Sequence, residues 1–139
     1  MEKYTLHNIS NYILELLKQE LPEIRWDEKV LGAVFPKETT GLIYCDSLEF
    51  QHTGKTISKA KAIYGIDIIC PNPKGEELKT RPVENIALRI REILTKDYSL
   101  GNWALYSSVD RIIFGAPAGM NTVGRALIMY TVEFEMEEI

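Results

Sequence analysis

The most regular pattern in the chain lies near its end. From Arg125 to Met136 apolar and polar positions alternate. Ala126, Ile128, Tyr130, Val132, Phe134 and Met136 share one face. Arg125, Leu127, Met129, Thr131, Glu133 and Glu135 share the other. A period of two over this length predicts a strand with one buried face. Trp103 to Phe114 alternates more loosely and predicts a partner strand. Between them Gly115 to Gly124 holds three glycines and one proline with few apolar anchors, which predicts a mobile loop. Upstream, Val83, Ile86, Ala87, Ile90, Ile93 and Leu94 recur at helical spacing. They predict a helix from Val83 to Lys96 whose stripe lies across these two strands. Asp97-Tyr98-Ser99-Leu100-Gly101 is its exit turn.

The N-terminal half supplies the remaining elements. Leu6, Ile9, Ile13, Leu16, Leu17 and Leu21 fall on one face of a helix from about Thr5 to Leu21, stopped by Pro22, since the residue before a proline leaves the helical region. Ile24 to Phe35 suggests a short strand or an irregular edge. Leu42 to Phe50 reads as a strand in which Leu42, Tyr44, Leu48 and Phe50 share a parity, with Asp46 interrupting the same face. Thr56 to Cys70 is a longer strand, with Tyr64, Ile66, Ile68 and Cys70 on one side. Pro71-Asn72-Pro73-Lys74-Gly75 closes it. The polar stretch from about 51 to 62, including Ser58-Lys59-Ala60-Lys61, reads as a projecting hairpin arm. Helix, strands, helix and two strands make an α+β domain with mostly antiparallel pairing. At 139 residues the chain is expected to form one domain.

Composition changes this picture little. A net charge of −4 argues against a general nucleic-acid binder, whose affinity rests on neutralising phosphates. Met1-Glu2-Lys3-Tyr4 lacks the basic start and apolar core of a signal peptide. No apolar run approaches the roughly 20 residues of a membrane span. No membrane association is therefore expected, and Cys45 and Cys70 are expected to be free, mostly buried thiols.

Candidate chemistry is sparse. His52-Thr53-Gly54-Lys55-Thr56 has the tail of a phosphate-binding loop, but the position five before Gly54, which leaves four residues between, is a glutamate, Glu49, and not the required glycine. His7, His52, Cys45 and Cys70 lack the short spacings of a zinc site. Ser58 and Lys61 match a Ser-x-x-Lys spacing without its companion motifs, and no Gly-x-Ser-x-Gly turn occurs. No enzymatic activity, metal or cofactor is expected. Glu133, Glu135 and Glu137 fall on one face of the last strand. Dry, they would repel. They mark either a solvated face or one that lines a wet channel or meets a basic surface. Tyr98, Trp103 and Tyr106 are either core or a partner-binding patch, since aromatics are enriched at interfaces.

The stretch Ile86-Ala87-Leu88-Arg89-Ile90-Arg91-Glu92-Ile93-Leu94, then Asp97-Tyr98-Ser99-Leu100-Gly101, then a strand, a Gly-rich loop and a terminal strand ending in acidic residues, resembles the tail terminator, or tail-completion, proteins of long-tailed phages and prophages. The resemblance covers most of the chain as an order of elements and about Val83 to Glu138 as residues. It does not extend to Ile24–Phe50. It implies a small α+β subunit that closes into a ring, commonly of six, caps the tail tube, stops its polymerisation and offers the surface to which the head's connector proteins dock. DNA would only pass through. The protein would act in the host cytoplasm during assembly and then in the virion tail. On this reading the arm at Ser58, Lys59 and Lys61, the loop at Met120 and Asn121, and Tyr98 and Trp103 are expected to touch neighbours, and Glu133, Glu135 and Glu137 to line the lumen. A head–tail connector or neck subunit, and a small-ligand-binding α+β domain unrelated to phages, are the alternatives.

Overall fold

A computed structural model describes residues 5–27, 38–52, 57–71, 81–115 and 123–137. Among the described residues two helices, α1 (Thr5–Glu20) and α2 (Arg81–Lys96), pack on one five-stranded sheet. Its strands are β1 (Arg25–Asp27), β2 (Thr40–His52), β3 (Ile57–Pro71), β4 (Tyr106–Gly115) and β5 (Val123–Glu137), in the spatial order β1-β2-β3-β5-β4. Only the short β1 runs parallel to its neighbour. The other three pairings are antiparallel. The α+β class read from the sequence is the observed one.

The core follows the two periodicities. Ile9, Ile13 and Leu17 of α1, and Val83, Ala87, Ile90 and Leu94 of α2, are buried against one face of the sheet. That face carries Tyr64, Ile66 and Ile68 from β3 and Ala126, Ile128, Tyr130, Val132 and Phe134 from β5. In register, Ile66 lies opposite Ile128 and Tyr64 opposite Tyr130. Each large side chain fully removed from water here contributes about 1.5–3 kcal/mol. Placing β5 between β3 and β4 explains why its alternation is the cleanest in the chain. It is flanked along most of its length, and on one face Ala126 through Phe134 are completely buried.

Both outer long strands are irregular at an aspartate. β2 shifts register between Cys45 and Ser47, and β4 between Val109 and Arg111. The extra residues are Asp46 and Asp110. Because the side-chain period is two, one inserted residue moves everything after it to the other face. Leu42 and Tyr44 therefore lie opposite Asp67 and Gly65 on the helix-free face, while Leu48 and Phe50 lie opposite Ala62 and Ala60 on the helix side. The shared parity expected for these four residues is corrected by this bulge.

The expected projecting arm is also corrected. β2 continues to His52 and pairs with β3 from Ser58 onward. On its other side β3 is paired with β5 along its whole length, out to Ile57 opposite Glu137. Lys59 and Lys61 thus sit on the middle strand of a three-stranded ledge. β4 begins only opposite Glu133, so the ledge extends beyond it. In the Ile24–Phe35 stretch only Arg25–Asp27 is a described strand. Residues 28–37, and Met120 and Asn121 of the expected mobile loop, lie outside the described residues.

Candidate interaction surface

The site is built on the turn that follows α2. Asp97 organises it. One carboxylate oxygen accepts from the amide of Gly101 at 3.2 Å, and the other from the hydroxyl of Tyr12 on α1. That carboxylate raises the Tyr12 pKa, since a phenolate would lose the hydrogen bond and repel it. Three successive residues then take left-handed backbone angles: Leu100 (φ 49°), Gly101 (φ 64°) and Asn102 (φ 74°). A leucine at positive φ is costly. Here the conformation drives the Leu100 side chain completely into the core. The amide of Ala104 bonds the carbonyl of Ser99 at 2.9 Å, and that of Leu105 bonds Glu133 at 2.8 Å, which hands the chain to β4.

With Leu100 as the plug, the residues around it turn outward. Tyr98 is 55% exposed, Trp103 36%, Leu105 49% and Tyr106 53%. The Tyr98 and Tyr106 rings stand 6.3 Å apart, and Ser107 Oγ donates to the Tyr98 carbonyl at 2.6 Å. All three aromatics are at the surface and not in the core. Trp103 belongs to the turn and not, as expected, to the following strand. A groove of about 400 Å³ runs from this corner between α2 and β4, lined by Arg91, Thr95, Tyr98, Tyr106, Ser108 and Val109 among others.

The acidic strand face is not uniformly acidic. Glu133 lies between Lys61 of β3 and Tyr106 of β4, and Glu135 lies opposite Lys59. Lys61 in turn has Glu49 on its other side. Directly opposed residues on neighbouring strands bring their Cβ atoms to about 4.5–5.5 Å, close enough for opposite charges to attract. Glu133 and Glu135 thus face lysines of the chain's own β3 across the ladder, and both are exposed to solvent. Glu137 is opposite Ile57 in the backbone register, and its side chain, like that of Ser58, lies outside the described residues. Lys59, Lys61, Glu49, Phe50, Leu105 and Glu133 line a second groove of about 290 Å³. The fold thus joins two groups that the sequence offered separately, the β3 lysines and the aromatic corner, at one end of the molecule. Leu105 and Phe50, the latter 54% exposed, belong to this end too. Reading the sequence missed both, because apolar residues inside a strand pattern look like core.

Other polar features hold the fold. Asp67, buried on the helix-free face, takes a forked pair from Arg125 at 2.8 and 2.6 Å. That hydrogen-bonded carboxylate raises the Arg125 pKa. The Tyr44 ring lies across Gly65, where a Cβ would overlap it. Tyr64 donates to or accepts from Ser10 at 2.7 Å, and burial pushes its pKa up to about 12. The buried Tyr130 hydroxyl has no hydrogen-bond partner among the described residues, and burial raises its pKa as well.

The thiols divide. Cys70 is buried, but Cys45 is exposed on β2, which corrects the expectation for it. Burial of part of its surface raises the Cys45 pKa, so it is no activated nucleophile. His7 bonds Asn11 on α1, and among the described residues no three metal-ligating side chains converge. Thr53 to Thr56 of the loop-like motif lie outside the described residues. No helix among the described residues is long and apolar enough to cross a membrane.

Compared with models of known protein families the chain matches none, and no curated protein matches it.

Proposed function

We propose that this protein is a tail terminator subunit, a structural part of a long-tailed phage or prophage that assembles into a ring, caps the tail tube and forms the surface to which the head docks. The observation that carries the reading is the aromatic corner. A strained turn, clasped by Asp97 and anchored by Leu100, is used to expose Tyr98, Trp103, Leu105 and Tyr106 beside a charged ledge. Large amphipathic side chains on a rigid support are the means by which protein interfaces gain affinity at low entropic cost. The turn is also the segment in which the sequence resembles the terminator family.

The role needs faces that meet neighbours and a lumen that does not grip DNA. The Glu133–Lys61 and Glu135–Lys59 rows are nearly balanced in charge, so they suit a protein contact better than a lumen. On this reading they belong with the aromatic corner to the face that meets the tail tube.

The test begins with the open reading frames on either side of the gene. A tail-tube gene and a long tape-measure gene beside it are expected. The purified protein should then bind the ends of tubes assembled from the neighbouring tube protein and arrest their growth, as seen by electron microscopy. Trp103→Ala with Tyr106→Ala should abolish the arrest with the fold intact. Metabolic or regulatory neighbours, or tubes that lengthen regardless, would reject the reading.

A further inference from the structure

Among the described residues the sheet has two open edges. β4 has ten residues, Tyr106 to Gly115, and among the described residues it pairs only with β5. β2 has 13 residues, of which Thr40 to Leu42 pair with β1, leaving the ten from Ile43 to His52 with no strand beyond them among the described residues. Unpaired backbone donors and acceptors along such edges are templates for another strand. The bulges at Asp46 and Asp110 blunt both edges against indiscriminate pairing, so a partner must match them.

Directions and charges select that partner. The three steps from β2 to β3 to β5 to β4 are all antiparallel, so β2 and β4 run oppositely. If β4 of one copy lies beside β2 of a rotated copy, the alternation continues unbroken. The β4 edge is positive by one charge, with Arg111 and, in the adjoining groove, Arg91 against Asp110. Neither arginine makes an ion pair among the described residues, while the Asp110 carboxylate accepts from the hydroxyls of Ser108 (2.7 Å) and Thr131. The β2 edge is anionic. Asp46 has no cation beside it among the described residues, and Glu49 shares Lys61 with Glu133. Two β4 edges meeting across a two-fold axis would set these arginines against each other. β4 against β2 sets them against carboxylates.

We propose that neighbouring copies of this chain join head to tail through the edge of β4 and the edge of β2, so that a closed ring carries one continuous antiparallel sheet. This deepens the ring reading above and rests on it. A contact between two different patches gives a ring when the rotation closes, whereas a self-complementary patch stops at a dimer.

Cys45 provides the test, because it is exposed on the β2 edge and its strand position faces the helix side, opposite Tyr64. The matching β4 positions are Ser107, Val109, Ile112 and Phe114, opposite Val132, Tyr130, Ile128 and Ala126. Each is replaced singly by cysteine in the full chain, oxidised at high concentration and run on a denaturing gel, with mass photometry of the same sample. A covalent ladder reaching beyond the dimer from at least one position, abolished by Cys45→Ser, is expected. Covalent dimers that persist after Cys45→Ser would overturn the proposal in favour of β4 pairing with itself. Rings by mass without any ladder would overturn the edge assignment and leave the ring reading standing. Monomers at every attainable concentration would overturn both. As a second variant that does not touch the core, Arg111→Glu should raise the half-assembly concentration about tenfold, and adding Asp46→Lys with Glu49→Lys should recover most of it. An unchanged midpoint in Arg111→Glu would count against the charge argument.

Discussion

Gly101→Ala measures how much the exit turn depends on α1. Two terms oppose the new methyl group. The first is the backbone: Gly101 sits at φ 64°, where a side chain costs about 1 kcal/mol. Its neighbours Leu100 and Asn102 carry side chains at similar angles, so this term alone does not prevent folding. The second is contact. The added Cβ would stand 2.7 Å from one carbon of the Tyr12 ring and 3.1 Å from the next. The ring cannot simply rotate away, because its hydroxyl is bonded to Asp97, and overpacking of this kind costs about 1–3 kcal/mol. Together Gly101→Ala should destabilise the protein by about 2–4 kcal/mol. The assay is urea denaturation followed by circular dichroism, on Gly101→Ala, Tyr12→Ala and the double variant. In the Tyr12→Ala background only the backbone term remains, so the same substitution should cost about 1 kcal/mol. An equal cost in both backgrounds would refute the claim that Tyr12 closes the turn. A cost under about 0.5 kcal/mol in the wild-type background would refute the strain argument altogether.

Other substitutions probe the sheet. Asp67→Ala should cost about 1–2 kcal/mol in the same denaturation assay, less than a fully buried pair, because the Arg125 side chain is 48% exposed and can turn to water. Glu133→Lys sets like charges opposite Lys61 and should lower stability by about 0.5 kcal/mol at low salt. Adding Lys61→Glu should recover only part of it, because that change sets a carboxylate opposite Glu49, and high salt should erase the difference. In alkali the sign follows from Tyr64. Its folded pKa is raised to about 12 from the ordinary 10, so its contribution is complete below pH 10 and is lost as pH rises through about 12. This is worth ~3 kcal/mol. Tyr64→Phe should flatten that loss in urea titrations, and tyrosinate absorbance should show Tyr64 ionising later than exposed tyrosines.

Much of the fold was legible from one-dimensional patterns. The stripes of α1 and α2 and the strict alternation of β5 correspond closely to the buried residues, because a helix or strand with one covered face must repeat with the period of its own geometry. The strands β2 and β4 were harder. A single inserted residue at Asp46 or Asp110 flips the parity, and a pattern that counts by two then merges two faces into one. Asp46 stood out in the sequence as a polar residue on an otherwise apolar parity, and that was the available signal for the β2 bulge. Asp110 lies among Ser107, Ser108 and Arg111, so the β4 bulge had no comparable signal.

The sequence by itself determined which residues had to leave water, hence two helices packed on a mostly antiparallel sheet, and it marked Asp97 to Gly101 as a turn. It paired the last two strands but could not say that β3 lies on the other side of β5. That decision belongs to tertiary structure, because hydrogen bonding between strands joins residues far apart in the chain. It is what set Lys61 beside Glu133 and turned a run of glutamates into a ladder of alternating charge. It also turned Leu100 inward, so that Tyr98, Trp103 and Tyr106, which composition alone would equally assign to a core, were left at the surface. Local preference fixes the direction of a side chain relative to its own backbone. Only packing decides whether protein or solvent lies in that direction.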